Sequence, residues 1–249
     1  MAVVDADIIV YGSANMQETN SGTQGGAIDT AVLMVFTDIS PNGTVSIHST
    51  SASDTTQSIT VTGREADGTI TDDVIGPLTG TTPVVGAVTY ERILKVVMSA
   101  TAVGVVVVEE TSGGEDLITL PINVTEARRP FYDVAAEASG GSAVDYYEKI
   151  FFYNSNAVSA LTSATIAEIA GGAAALIDFM LPATLDDSGT SPDRITAPAG
   201  TFDSATKNVA NSQSHSPVSG QGVWIHLSLP AGTAANNTTY TLRESGQTV

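Results

Sequence analysis

Apolar and polar positions alternate along much of this chain with a period of two. VSIHS (45–49) sets Val45, Ile47 and Ser49 on one face, and SITVTG (58–63) sets Ile59 and Val61 together. GVWIHLSLPAGT (222–233) aligns Val223, Ile225, Leu227 and Leu229, with Trp224 and His226 opposite. That period describes strands with one buried side. The runs DIIVY (7–11), AVLMVFTDI (31–39), VGVVVVEE (103–110) and DLITLPINV (116–124) read as further strands. So do YYEKIFFYNSN (146–156), ATIAEI (164–169), ALIDFML (175–181) and TYTLRESG (239–246). TYERILKVVMS (89–99) fits a helix by its i, i+3, i+4 spacing and a strand by its flanking Thr and Val.

Turn residues punctuate these runs: Ser40-Pro41-Asn42-Gly43, Asp67-Gly68, and the glycine- and serine-rich stretch after Tyr11. A long loop spans 182–221. The rhythm predicts an all-β chain of two antiparallel β-sandwich-like domains, Ig-like or jelly-roll-like, with long loops. A composition shift at ARRPFYDVAAEASGGSAV divides it into an N-terminal domain with an extended arm (1–126), a linker (127–144) and a C-terminal sandwich (145–249). Arg128-Arg129 is expected to be solvated within that linker.

The stretch ITVTGREADGTITDDV (59–74) gathers Glu65, Asp67, Asp72 and Asp73 around a glycine. An EF-hand loop needs oxygen ligands at its first, third, fifth and twelfth positions and glycine at its sixth. With Gly68 sixth, Gly63 stands first and Val74 twelfth, so the two anchoring ligands are missing. The segment reads as a hairpin turning at Asp67-Gly68.

Composition narrows the chemistry. Only 14% of the 249 residues are charged, and the net charge is −18. With three lysines and six arginines, the chain is a poor match for phosphate, so no nucleic-acid partner is expected. The absence of cysteine excludes disulfides and thiolate chemistry. No apolar run approaches the roughly 20 residues of a membrane-spanning helix, and the N-terminus lacks a basic signal region, so no membrane association is expected. The histidines, His48, His215 and His226, stand at no metal-ligand spacing, and neither HExxH nor GxSxG occurs. The reading is therefore non-enzymatic, with no catalytic residue, metal or cofactor. Trp224 with Asp186-Asp187 is the best residue set for a carbohydrate-binding or hydrolytic alternative.

Two segments carry a resemblance. SITVTGREADGTITDDVIGPLTGTTPVVGAVTYERILKVV (58–97) resembles a recurrent structural segment of tailed-bacteriophage virions. That segment joins a TVTG-R strand, an acidic hairpin, a G-T-T-P-V turn and a [FY]-x-R-[IL] strand. YYEKIFFYNSN (146–156) and GVWIHLSLPAGTAANNTTYTLRESG (222–246) are similar to a phage β-sandwich module. The resemblance covers roughly a third of the chain. It implies a virion structural protein, of the capsid decoration (cement) type or of the tail or neck, assembled in the host cytoplasm. Its implied partners are the major capsid protein or other virion proteins.

The segment 1–26 contains one apolar run, Ile8-Ile9-Val10-Tyr11. Either this run is the first strand of its own sandwich, or it is an arm that pairs with a neighbouring subunit. On the second reading, these four residues form an interface in a homo-oligomer, with a trimer favoured.

Overall fold

The computed structural model describes residues 2–40, 42–132, 142–171, 176–210, 212–232 and 240–248. The chain is all-β. After a 3₁₀ turn (Asp5–Asp7), the strands are β1 (Ile8–Asn15), β2 (Gln24–Leu33), β3 (Gly43–Ser49), β4 (Ile59–Arg64), β5 (Ile70–Ile75) and β6 (Val84–Tyr90). They continue as β7 (Arg92–Met98), β8 (Val106–Glu110), β9 (Asp116–Leu120), β10 (Glu126–Arg128), β11 (Val144–Asn154) and β12 (Leu161–Ala170). The last are β13 (Ile177–Met180), β14 (Thr190–Ser191), β15 (Lys207–Asn208), β16 (Ser214–His215), β17 (Ser219–Leu229) and β18 (Thr241–Thr248).

Two compact units result. One comprises Met1–Asp29 and Asp133–Val249, the other Thr30–Tyr132. The boundary at Tyr132/Asp133 falls within the expected linker, 127–144, but the units differ from the expected domains because Met1–Asp29 goes with the C-terminal half. Glu126–Arg128 is a strand paired with β7, and the first strand belongs with the C-terminal half. The rest of the expected linker lies partly outside the described residues.

In the unit Thr30–Tyr132, one sheet orders β10–β7–β4–β5 and another β6–β3–β8–β9. The residues that alternate inward meet in a dry core: Val45, Ile47, Ile59, Val61, Ile93, Val96, Val106 and Val108 are all buried. TYERILKVVMS resolves as the end of β6 and all of β7, as its β-branched content favours. The hairpin β4–β5 pairs Arg64 with Ile70 and turns at Gly68, whose φ is +89°. Arg128 is buried rather than solvated. Arg129 donates to Ile93 O (2.8 Å) and to Asp38 (2.5 Å). Burial, helped by the Arg92 charge and opposed by Asp38, pulls its guanidinium down to about 10.

In the other unit, one sheet orders β13–β17–β11–β1 and continues into the first half of β2, with β14 against β2. A second sheet pairs β12 with β15, β16 and β18. β11 and β17 pair over eleven residues, from Val144↔Leu229 to Asn154↔Ser219. β1 lies antiparallel on β11, from Ile8↔Asn154 to Gly12↔Ile150.

Candidate functional site

β11 departs from simple alternation. Tyr146, Tyr147, Ile150, Phe151 and Phe152 are all buried, so both faces of the strand are covered. Glu148 and Lys149, adjacent in sequence, therefore point into opposite dry faces, and each must be paired. Both side chains are fully buried.

On one face, Lys149 Nζ donates to Asp187 Oδ2 at 2.6 Å, Asp187 O at 2.7 Å and Gly26 O at 2.9 Å. A fourth acceptor, Gly189 O, lies at 3.2 Å. The ring centroids of Phe151 and Trp224 stand 4.9 and 5.7 Å from Nζ. Gly189 N also donates to Asp187 Oδ2, at 3.1 Å. Burial pushes the Lys149 amine below its usual range, and the hydrogen bond and charge of Asp187 oppose that shift. The close approach depends on glycine: a Cβ on Gly25 would sit 2.6 Å from the Trp224 ring, and Gly25 has φ +87°.

On the other face, Arg194 Nη2 donates to Glu148 Oε1 at 2.9 Å, with both side chains fully buried. Arg194 Nη1 reaches Glu18 O (2.9 Å), and its carbonyl accepts from Tyr147 N (2.8 Å). Lys149 and Arg194 together fasten the segment 186–194 to β11.

Trp224 is a packing residue, buried in a cluster with Tyr147, Met180 and Phe202. Asp186 accepts from Gly220 N (2.8 Å), and Asp187 holds Lys149. The residues proposed for a sugar site are thus engaged in holding the loop, and Trp224 presents no exposed ring.

His226 is half-buried and stacked on Tyr147, with ring centroids 4.8 Å apart. Its Nδ1 and Nε2 lie 2.8 and 3.1 Å from Asp178 and Asp145. Burial works upward on the Asp145 carboxyl, but hydrogen bonds from Ser228 and His226 outweigh it and hold that group low. His215 is fully buried, with Nε2 on Ser219 O (2.9 Å) and Nδ1 on Glu244 (2.6 Å). His48 lies 3.5 Å from Glu109.

The acidic residues of the hairpin diverge. Asp67 accepts from Thr69 N (2.8 Å), Asp72 from Thr62 Oγ1 (2.6 Å), and Asp73 from Ala87 N and Val88 N of β6 (2.6 and 3.1 Å). Among the described residues, no group of three or more His, Asp or Glu is placed to hold a metal ion. No described helix is long and apolar enough to cross a membrane.

Ile8, Ile9, Val10 and Tyr11 pair with Asn154, Tyr153, Phe152 and Phe151 of the same chain. Tyr11 is buried and edge-on to Tyr153 (5.8 Å), and the other three are half-buried. The first-strand reading describes this run: its main-chain partner is β11.

The charged pair inside an aromatic strand, YYEKIFFY, was the sequence signal for this polar core. Its partners Asp187 and Arg194 lie 38 and 46 residues away in a loop without periodicity. Compared with protein-family models, with curated proteins and with solved structures, the chain matches none.

Proposed function

We propose that this chain is a non-enzymatic structural protein of a tailed-bacteriophage virion, a capsid decoration (cement) protein that bridges and stabilises capsomers. The observation that carries the reading is where the resembling segments fall. SITVTG…ILKVV contains the four strands β4 to β7, and the second pair of segments contains most of β11 and β17 and the first part of β18. The likeness thus lies in the sheets that build each unit. A protein of this kind meets its partners through shape and main-chain pairing, which needs no cofactor. Its partners on this reading are the major capsid protein, other virion proteins or further copies of itself. A net charge of −18 sets it against DNA and suits a place outside the packaged genome.

The test is to label this protein on particles of the phage whose genome encodes it and to image them in negative stain. Label spread over the whole head supports decoration. Label confined to one ring or to the tail supports the tail or neck alternative. Purified particles that carry none of the protein overturn the virion reading.

A further inference from the structure

We propose that Lys149 and Asp187 are the two ends of an intramolecular amide cross-link, formed spontaneously in the folded chain between Lys149 Nζ and Asp187 Cγ. This inference does not depend on the proposed function.

Four features of the site point to it. The amine and the carboxylate are in direct contact at 2.6 Å, on elements with separate backbone anchors. Nζ is fully buried, and the Phe151 and Trp224 rings wall it off from water. Gly26 O and Gly189 O accept from Nζ, and Gly189 N donates to Oδ2, so both reacting groups are held in place from the backbone. Asp187 itself is 26% exposed, which gives a released water a way out. Fixing two reactants at contact distance raises their effective concentration by about 10⁵–10⁸ M in favourable cases.

Electrostatics favours the nucleophilic form of the amine. Nζ has lost its hydration, and burial disfavours the charged ammonium relative to the neutral amine. The lowered Lys149 amine fits that environment.

The step balances without any co-reactant. One Nζ proton passes to Asp187 Oδ2, giving a neutral amine and a neutral acid. The Nζ lone pair then attacks Cγ and forms the C–N bond. A second Nζ proton moves to Oδ2, the Cγ–Oδ2 bond breaks, and water leaves. The remaining Nζ proton stays on the amide, where a backbone carbonyl accepts it. Nothing is oxidised or reduced.

The experiment is intact-mass spectrometry of the purified, denatured full-length chain, followed by proteolysis and fragment sequencing. The expected mass is lower than the sequence mass by one water. The expected fragments include a branched peptide joining the Lys149 and Asp187 segments. D187A and K149M are expected to restore the full sequence mass, whether or not they fold as well as the parent. A wild-type chain at full sequence mass, or a water loss mapped to other residues, overturns the proposal.

Discussion

Asp54 offers the sharpest test of how the unit Thr30–Tyr132 is held. Its side chain is almost completely buried, between the end of β3 and the loop before β8. It accepts from Ser49 Oγ (2.6 Å), Val103 N (2.8 Å) and Gly104 N (2.9 Å), with Gln57 Nε2 at 3.5 Å. Asp54→Asn keeps the shape and replaces one oxygen by an NH₂. In one amide orientation that NH₂ meets Gly104 N–H, and in the other it meets Val103 N–H. Ser49 can rotate its hydroxyl to adapt, but a backbone N–H cannot. One buried donor is therefore orphaned, at about 1–3 kcal/mol, and the remaining bonds lose their charge assistance. The easier burial of a neutral amide offsets part of this, leaving an expected loss of roughly 2 kcal/mol.

The assay is urea unfolding of the full chain, read by circular dichroism and by hydrogen exchange at the amides of Val103 and Gly104. Trp224 fluorescence reports the other unit. The pH dependence supplies a second readout. The Ser49 hydroxyl and the Val103 amide hold the Asp54 carboxyl below its usual range; burial opposes them, and Gly104 and Gln57 add to the lowering. A depressed folded value means that this stabilisation is full above the unfolded value, about 3.9, and is lost as pH falls through the folded one. The gap between wild type and Asp54→Asn should be full at neutral pH and should shrink below about pH 4. A gap under about 0.5 kcal/mol at pH 7, or one that widens in acid, refutes the reasoning.

Gly68→Val should destabilise by roughly 1 kcal/mol, because φ is +89° there while the space around a new Cβ is empty; thermal melts should show Asp67→Ala as the milder change. Arg194→Met should cost about 3–5 kcal/mol by removing the ion pair that fully buried Glu148 makes with Arg194, and Arg194→Met with Glu148→Leu should recover much of it in denaturant titrations. Deleting residues 1–26 should unfold the unit that contains β11, since the deletion removes β1 and half-buried Ile8, Ile9 and Val10; a truncated chain with unchanged melting and unchanged Trp224 fluorescence contradicts this.

What could be read from the sequence was local. The β4–β5 hairpin needs only alternation and a residue at positive φ, and Asp67-Gly68 declares both. β2 shows the opposite case. AVLMVFTDI reads as the strand, yet β2 runs from Gln24 to Leu33, through a glycine pair that looks like loop. Those glycines serve tertiary contacts: Gly25 makes room for the Trp224 ring, and Gly26 gives its carbonyl to Lys149. Likewise, GVWIHLSL reads as one apolar face because the chain that covers its other face comes from distant segments. A period of two reports which side chains share a face, not whether a loop later closes over the polar one.

The placement of cations ties these observations together. The chain has nine, and Arg128, Lys149 and Arg194 are buried. Arg64 meets Glu91, Lys207 meets Asp203, and Arg92 and Arg129 share Asp38. A chain poor in cations thus turns much of its positive charge inward or commits it to neighbouring carboxylates. Lys149 on β11 and Arg194 in the facing loop reinforce the short β14–β2 pairing, holding that largely aperiodic loop on the sheet by several hydrogen bonds at once. What remains outside is acidic, and like charge opposes the approach of another acidic surface. A stable contact with this exterior therefore needs cations from the partner, or uncharged main-chain and apolar contact on a patch where the carboxylates are sparse.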